Sequence, residues 1–324
     1  MGLVLGIETS CDETGIALVE DGRRVRAEAV ASQVDVHREF GGVVPEIASR
    51  QHTTTIVQLT RQVLEEAGCA VPDAIAATNG PGLMGSLLVG TSFAKSLALA
   101  WQRPYIPVHH IEGHLFSVFL EERAPDWPFL ALIVSGGHTQ LTACDAPHRY
   151  RMLGATRDDA VGECFDKVAR LLGLPYPGGP SIQAAAEGGD PTAFDLPRAM
   201  RDSADLAFSY SGLKTAVRYA LNEGSVHVAD MAASFQAAAV DILVHKTRQA
   251  LAQTGLPRLV VAGGVAANAP LRARLTEEAG VPVYVPALHY CLDNGAMIAA
   301  AGYSRWQQGG AAPLTCTPTP SLPL

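Results

Sequence analysis

The first 32 residues alternate between short apolar runs and polar turns. Leu3–Ile7 and Gly15–Val19 are apolar and flank the polar turn 8–14, a pattern that predicts a β-hairpin. Arg24–Ala31 follows after a short polar break and is expected to add a third strand. The chain is therefore predicted to begin with an antiparallel three-stranded ribbon.

Strand and helix patterns then alternate up to residue 125. Five elements are expected in chain order: a helix over Glu46–Ala67, between Pro45 and Gly68, a strand at Ala74–Thr78, a helix through Ala100, a strand at Tyr105–His109 and a helix from about His110 to Glu121. Strands that alternate with helices predict parallel pairing and helices that cover the sheet.

The second half of the chain repeats this order. The repeated elements are a hairpin of Phe129–Val134 and His138–Ala143, a strand Leu259–Ala262 with a glycine turn and a helix, and a strand Val281–Val285 with a helix from about Asp293. We predict two related α/β lobes, residues 1–125 and 126–312, with a cleft between them and a helical insert over about 156–222. The uncharged Pro/Thr-rich tail 313–324 is expected to lie outside the fold.

Composition narrows the class of protein. The 324 residues are 48% hydrophobic and 17% charged, so an intrinsically disordered chain is excluded. The formal net charge of −8 argues against tight nucleic-acid binding over the whole surface. No secretory signal or uninterrupted apolar span is visible, and the six cysteines show no zinc spacing. We expect a cytoplasmic protein without membrane association.

A histidine pair is the most specific candidate for chemistry. His110 and His114 are four residues apart at the start of a predicted helix, so both rings project from one face, an arrangement that suits a transition metal. Ile111 stands where the H-E-x-x-H motif of metalloproteases has its glutamate. Asp293 begins the matching helix of the second lobe and is expected to complete the site across the cleft. The alternatives are surface or capping histidines and an N-cap role for Asp293.

Three glycine-rich loops in the second half indicate a nucleotide site. They are Ser135-Gly136-Gly137, Pro177-Gly178-Gly179-Pro180 and Gly263–Asn268. Glycines let the backbone approach a ligand, and amide groups at a turn or a helix start bind phosphate oxygens. Each loop alone is equally compatible with an ordinary turn.

Clustered carboxylates are further candidates. Asp159, Glu163 and Asp166 share a helix face and are candidates to bind ribose hydroxyls or a metal, although a solvated acidic face is the alternative. Asp12 and Glu13 lie in the first hairpin turn and are candidates for general-base or water-orienting roles, against a merely solvated turn. No feature of the sequence lowers the pKa of the neighbouring Cys11, so a nucleophile is not expected there.

Ten motifs in order resemble one family over residues 2–307. They are GIETSCDETGIAL (6–18), GGVVPEIASRQH (41–52), GPGLMGSLLVG (80–90), HHIEGH (109–114), VSGGHTQL (134–141), DDAVGECFDK (158–167), YPGGP (176–180), FSYSGLKT (208–215), GGVAAN (263–268) and CLDNGAMIA (291–299). Together they are similar to the TsaD (formerly Gcp) tRNA threonylcarbamoyltransferases. This resemblance implies an actin-like fold (the ASKHA class, with sugar kinases and Hsp70).

The resemblance also implies an activity and its residues. The expected reaction transfers threonylcarbamoyl from threonylcarbamoyl-AMP to the exocyclic amine of the adenosine 3′ of the anticodon, in tRNAs that read ANN codons. It implies one divalent metal per chain, Fe(II) ahead of Zn(II), held by His110, His114 and Asp293, and a catalytic or positioning role for Asp12 and Glu13. The implied substrate contacts are Ile133, Val134, Ser135, Gly136, Gly137, Asp166, Gly179 and Asn268.

The expected partners follow from the same resemblance. They are tRNA, a TsaB-like paralogue, a TsaE-like ATPase and a separate synthase that supplies threonylcarbamoyl-AMP. Local basic groups are candidates for the tRNA contact: Arg149, Arg151 and Arg157, or Lys214 with Arg218. Three alternatives stay open: an ATP-dependent small-molecule kinase on the same fold, a metalloprotease, and a non-enzymatic nucleotide switch with structural histidines.

Overall fold

The chain forms two compact units in a computed structural model that describes residues 2–324. The first unit comprises Met1–Pro125 and Pro286–Leu324, and the second comprises Asp126–Val285. Residues 286–312 were predicted to belong to the C-terminal lobe, and that prediction is wrong. The chain returns to the first unit before its last helix.

The elements follow in chain order. Residues 2–125 form β1 (Leu3–Glu8), β2 (Glu13–Glu20), β3 (Arg24–Ser32), α1 (Val34–Arg38), α2 (Pro45–Glu66), β4 (Ala74–Gly80), α3 (Met84–Trp101), β5 (Tyr105–His109), α4 (His110–Phe116) and a 3-10 turn (Ser117–Leu120). Residues 126–285 form β6 (Phe129–Val134), β7 (Thr139–Ala146), β8 (Arg149–Ala155), α5 (Val161–Leu171), α6 (Gly178–Ala185), α7 (Ser211–Glu223), α8 (Val228–Thr254), β9 (Leu259–Ala262), a 3-10 turn (Gly264–Ala267), α9 (Ala269–Glu278) and β10 (Val283–Tyr284). Residues 286–324 form α10 (Leu288–Cys291) and α11 (Gly295–Gln307).

Each unit has a five-stranded mixed sheet of the same order. The first sheet runs β3-β2-β1-β4-β5 and the second runs β8-β7-β6-β9-β10. In both, the first two pairings are antiparallel and the last two are parallel. The internal repeat predicted from the sequence is therefore present in the strand order. The strand β8 was not predicted, because most of its side chains are polar or only half-buried.

The core of the first unit lies on both faces of β1. Leu5 and Ile7 pack with the buried apolar side chains of α2 and α3. Val4 and Gly6 point to the other face, as the alternation of a strand requires, and α11 lies there against β1, β2, β4 and β5. The sheet is thus covered on both sides, as the near-continuous burial of β1 and β4 indicates.

The C-terminal tail packs on the first unit, so the prediction that it lies outside the fold is wrong. Asn79 donates its side-chain amide to the Thr317 carbonyl (3.1 Å), and the Thr319 amide donates to the Asn79 carbonyl (2.8 Å). The Gly82 amide donates to the Pro320 carbonyl (3.1 Å). The proline-rich tail has few amide donors, but its Thr317 and Pro320 carbonyls accept bonds from Asn79 and Gly82, and the Thr319 amide donates one in return.

The second unit contains the predicted insert. It comprises α5, α6 and α7, joined by irregular chain between residues 186 and 210. The fully buried Lys246 of α8 donates to the carbonyls of Ser203 (2.9 Å) and Asp205 (2.6 Å), which ties this irregular chain to the core helix. One helix in the described part of the chain, Val228–Thr254, is long and apolar enough for a membrane span, and 67% of its apolar window is buried inside the protein.

Candidate metal centre and loop cluster

His110 and His114 lie on α4, directly after β5. His109 caps this helix, because its ring Nδ1 accepts the Ile111 amide at 3.2 Å. The two rings lie edge to face with their centroids 4.8 Å apart, and His114 is fully buried. The structure therefore confirms the predicted shared face of the helix.

Asp293 joins this pair. Its Oδ1 lies 3.2 Å from His114 Nε2 and 3.7 Å from His110 Nε2. One ligand atom from each residue lies within 4.8 Å of the others. The N-cap of α11 is Asn294, whose side chain accepts the Met297 amide at 2.8 Å, so the alternative of a capping role for Asp293 is wrong.

The start of α11 brings Asp293 to the histidines. Gly295 lies against β2 so closely that a Cβ on it would be 2.5 Å from the Ala17 amide nitrogen. Further along, the fully buried Glu112 of α4 forms an ion pair with Arg305 of α11. All three candidate ligands belong to the first unit, so the expectation that Asp293 reaches the site from the other lobe is wrong. Sequence order suggested the second lobe, but the small residues of α11 pack on the first sheet.

The site is negatively charged and partly pre-oriented. His110 Nδ1 lies 3.1 Å from Glu8 Oε2 and 3.1 Å from Ser10 Oγ. Burial alone would lower the pKa of His110, but the negative charges of Asp293 and Glu8 outweigh it and raise that pKa to about 9. A cation in this place is therefore stabilised by its surroundings.

The residues present fit a metal ion. His114 is fully buried, yet among the residues that the structure describes its Nδ1 has no hydrogen-bond partner, and its Nε2 contacts Asp293 Oδ1 without hydrogen-bond geometry. A buried polar atom without a partner costs free energy, about 1–3 kcal/mol for a side-chain group. Two imidazoles and one carboxylate are the donor set of non-haem iron sites with open positions and are also common at zinc. The cluster thus has the burial and chemistry of a metal centre.

Glu8 was not among the predicted site residues. It ends β1, is fully buried, and accepts hydrogen bonds from the Ser10 amide and the Thr78 hydroxyl (2.6 Å) besides its contact with His110. The sequence does contain one indication of Glu8: a glutamate follows directly after the apolar run 3–7, at the end of a strand that is buried on both faces. A buried carboxylate there needs partners that only the fold supplies.

The turn that carries Asp12 and Glu13 lies in the same unit. Burial, then the negative charges of Asp12 and Asp293, raise the pKa of Glu13, although the Ser32 hydroxyl donates to its Oε1 at 3.0 Å. Burial and the charge of Asp12 also raise the pKa of the Cys11 thiol well above its ordinary value. This agrees with the expectation that Cys11 is not a nucleophile.

His52 of α2 holds this turn in place. Its Nε2 donates to the Cys11 carbonyl at 3.0 Å, which leaves Nδ1 to accept the Thr14 hydroxyl at 2.7 Å. Burial lowers the pKa of His52, so the neutral ring that this pattern requires is the stable form. The motif 41–52 therefore supplies a support for the Asp12–Glu13 turn.

In the second unit, the predicted substrate residues gather at the carboxyl ends of β6 and β9. Ile133 and Val134 end β6 and are buried, and the turn Ser135–Gly137 follows. Gly162, in the first turn of α5, packs on Ser135, where an added Cβ would lie 2.5 Å from its carbonyl oxygen. Gly136 and Gly137 have open space on their Cα side. Ligands of open α/β sheets bind at this edge.

The remaining substrate candidates lie beside these loops. Asp166 lies one turn after Gly162 on α5 and accepts the Gly178 amide at 2.7 Å, which places Gly179 next to it. Asn268 is the N-cap of α9, where it accepts the Leu271 amide at 3.0 Å. These hydrogen bonds are formed within the protein. The roles of Asp166, Gly179 and Asn268 toward a substrate stay predictions.

The acidic face of α5 has basic partners. Asp159 pairs with Lys167 (2.9 Å) and Lys214 (2.8 Å), and Glu163 pairs with Lys167 (2.8 Å). Of the three carboxylates predicted to share a ligand, these two are therefore engaged in ion pairs within the protein. The tRNA candidate Lys214 is engaged in the same way.

Comparisons with known proteins decide the family. The sequence pattern of TsaD, described as tRNA N6-adenosine threonylcarbamoyltransferase, matches residues 24–300. The chain belongs to this family.

Curated relatives agree along nearly the whole chain. The tRNA N6-adenosine threonylcarbamoyltransferase of Thiobacillus denitrificans is 54% identical over 309 residues, which cover 94% of this chain and 91% of the relative. That of a Polaromonas species is 53% identical over 320 residues, with 95% and 92% covered. Membership of the family confirms the predicted enzyme class and supports neither a kinase nor a protease.

Solved structures confirm the predicted actin-like fold. HypF from T. kodakarensis is similar with a TM-score of 0.65 and 15% identity, over 95% of this chain and 48% of HypF. A 2-hydroxyisocaproyl-CoA dehydratase activator from Clostridium difficile is similar with a TM-score of 0.54 and 12% identity, over 97% and 100%. At this level of identity the likeness concerns the fold alone.

Proposed function

We propose that this chain transfers the threonylcarbamoyl group from threonylcarbamoyl-AMP to the exocyclic amine of the adenosine 3′ of the anticodon, in tRNAs that read ANN codons. The observation that carries this proposal is the match to tRNA N6-adenosine threonylcarbamoyltransferases along 94–95% of the chain. The His110–His114–Asp293 cluster and the loop cluster of the second unit support it.

The chemistry sets modest demands. The exocyclic amine of adenine is a weak nucleophile because its lone pair is delocalised into the ring. The donor is a mixed anhydride, so its carbonyl is already activated and AMP leaves readily. The enzyme must bring the amine to the carbonyl, accept one proton as the C–N bond forms, and stabilise the negative charge on the oxygens.

His110, His114 and Asp293 are proposed to hold one divalent ion. We place Fe(II) ahead of Zn(II), because two imidazoles and one carboxylate with open positions form the facial triad of non-haem iron. When bound, such an ion supplies a Lewis acid for the threonylcarbamoyl or phosphate oxygens without a redox change. The two imidazoles would bind the ion as neutral donors, and the carboxylate of Asp293 would offset part of its positive charge.

Asp12 and Glu13 are proposed to serve the amine. A carboxylate within hydrogen-bond reach can orient the amine and take the proton that it loses. His52 supports both residues through its bond to the Cys11 carbonyl.

The loop cluster is proposed to bind the adenylate. The space beside Gly136 and Gly137 is open, so a phosphate can approach their amides, whereas the Ser135 amide donates to the His138 carbonyl within the turn. Ile133 and Val134, buried at the end of β6, support this turn. Asp166, Gly179 and Asn268 are proposed to contact the nucleoside part of the substrate. AMP then leaves from the same loops.

Partners complete the reaction in this proposal. We infer that tRNA is held with the help of a TsaB-like paralogue and a TsaE-like ATPase, and that a separate synthase supplies threonylcarbamoyl-AMP, all in the cytoplasm. Arg149 and Arg151 are the basic side chains of the predicted patch that are best placed for tRNA. Both are exposed on β8, the outermost strand of its sheet, whereas Arg157 forms an ion pair with Asp205.

The direct test is transfer in vitro. Synthetic threonylcarbamoyl-AMP and unmodified tRNA are incubated with the purified chain, and the candidate partners are added one at a time. We expect threonylcarbamoyladenosine in the tRNA, formed only when this chain is present. ATP-dependent phosphorylation of a metabolite, with no modified tRNA under any combination, would instead support the kinase alternative.

A further inference from the structure

Glu8 is a buried carboxylate that contacts the candidate metal ligand His110 but is not itself a candidate ligand. It ends β1, at the centre of the sheet, and its side chain is fully buried. Its Oε2 lies 3.1 Å from His110 Nδ1, while His110 Nε2 lies 3.7 Å from Asp293 Oδ1. The two nitrogens of one ring thus face two different carboxylates.

The carboxylate is itself held in place by the sheet. Thr78 of the neighbouring strand β4 donates its hydroxyl to Oε2 at 2.6 Å, and the Ser10 amide donates to Oε1. Thr78 lies on β4, and Ser10 lies two residues after the end of β1 in the same sheet. An ionised carboxylate only accepts hydrogen bonds, so its bond to His110 requires the proton on Nδ1.

We infer that Glu8 is a positioning residue of the metal centre: its carboxylate keeps the His110 proton on Nδ1 and so presents Nε2 to the metal. This inference rests on the proposed metal site. Ligating histidines commonly donate their second ring N–H to a carboxylate, which fixes the tautomer and the ring orientation. His110 is then the rigid ligand of the pair, since His114 has no such partner among the described residues.

The inference explains why a charge is buried at the end of β1. A glutamine in place of Glu8 has one acceptor oxygen, so it cannot accept from both the Ser10 amide and the His110 ring at opposite ends of its amide group. One of the two bonds is lost. The Ser10 hydroxyl, 3.1 Å from Nδ1, can both donate and accept, so it does not by itself keep the proton on Nδ1. A buried structural carboxylate would show no such link to metal affinity.

Metal titration tests this inference without the transfer reaction. We would compare three metal-stripped proteins: the wild type, Glu8→Gln and Thr78→Val. Each is titrated with Co(II) and with Zn(II) against a chromogenic chelator, which gives the Kd. The visible spectrum of the Co(II) form is also recorded. Thr78→Val is the matched control, because it removes a different hydrogen bond to the same carboxylate. We expect the Kd of Glu8→Gln to rise about 10–100-fold with an altered Co(II) spectrum, as second-sphere changes do. For Thr78→Val we expect a change below about 3-fold.

The outcomes separate the two proposals. Unchanged affinity and spectrum in folded Glu8→Gln, or an equal loss in Thr78→Val, would overturn the role of Glu8. Failure of the wild type to bind any metal would instead overturn the metal centre of the proposed function. If Glu8→Gln does not fold, histidine 15N NMR of the Zn(II)-loaded wild type decides, with His110 assigned from a His110→Gln sample. Metal on Nε2 with a proton on Nδ1 supports the inference, and metal on Nδ1 contradicts it.

Discussion

Gly15 of β2 and Gly295 of α11 approach so closely that a Cβ on Gly15 would lie 2.6 Å from the Gly295 amide nitrogen. This approach is the structural basis of the candidate metal centre. Asp293 lies two residues before Gly295, so the depth to which α11 enters the first unit sets the distance from the carboxylate to both histidines.

Gly295→Ala should therefore damage stability and metal binding together. The added methyl would be 2.5 Å from the Ala17 backbone, which cannot move without distorting β2. We expect a loss of about 1–3 kcal/mol in the free energy of unfolding, typical of overpacking, and weaker metal binding. Urea unfolding and metal titration measure both. Gly212→Ala is the control, because no atom lies within 4 Å of its added Cβ, and preserved metal affinity in Gly295→Ala would contradict the account.

Removal of the tail 313–324 should loosen the β4–α3 loop. The tail accepts hydrogen bonds from Gly82, from the Asn79 side chain and from Lys95. With about 0.5–1.5 kcal/mol for each bond, we expect a destabilisation of roughly 2–4 kcal/mol. Hydrogen exchange should show faster exchange of the Gly82 amide. A chain that lacks only the last two residues keeps these bonds and is the control. Unchanged exchange at Gly82 would show that the tail does not support the loop.

Asp241 should make the second unit sensitive to acid. Burial alone would raise the pKa of Asp241, but hydrogen bonds from Arg198 (2.8 Å) and from Arg274 outweigh it and lower that pKa. A pKa below the unfolded value of ~3.9 means that this stabilisation is present above about pH 4 and is lost as the pH falls through the folded value.

The corresponding variant is Asp241→Asn. We expect it to lower the free energy of unfolding by about 1–3 kcal/mol at pH 7, because two arginines lose their charged partner. The difference from wild type should shrink as the pH falls below about 4, as urea unfolding at a series of pH values would show. The exposed pair of Asp35 with Arg38 supplies the control Asp35→Asn, with an expected change below about 0.5 kcal/mol. A pH-independent difference would refute the assignment.

The tRNA proposal predicts a salt-dependent effect at β8. Replacement of both Arg149 and Arg151 by alanine should weaken tRNA binding by the assembled enzyme. The slope of log K against log salt should fall by about two, one for each phosphate that an arginine no longer neutralises. Binding assays at several salt concentrations measure this slope. Arg157→Ala is the control, because Arg157 pairs with Asp205, and equal slopes for all three proteins would rule out β8 as a tRNA surface.

Local patterns predicted most of the elements. The hairpins, the strands at 74–78 and 105–109 and the face shared by His110 and His114 follow from periodicity and spacing, and the structure contains them. The repeat of the sheet was also readable from the apolar runs of β6, β7, β9 and β10 and from their order, whereas β8 has no such run.

The placement of Asp293 and of the tail could not be read in this way. Which sheet α11 covers depends on the fit of its small residues against Gly6 and Gly15, a property of two surfaces rather than of one segment. The tail was expected to lie outside the fold because it is uncharged and rich in proline and threonine, but its carbonyls accept hydrogen bonds from donors that are distant in sequence. Glu8 was missed because its role depends on its hydrogen-bond partners Thr78 and His110, which are distant in sequence and are brought to it only by the fold.

The most direct test of the metal-supported transfer is His110→Ala, assayed for bound metal and for threonylcarbamoyladenosine formation in the same preparation. With the candidate partners, tRNA and threonylcarbamoyl-AMP present, we predict that metal content and tRNA modification fall together, while the chain stays folded. Full transfer activity in a variant that holds no metal would contradict the account.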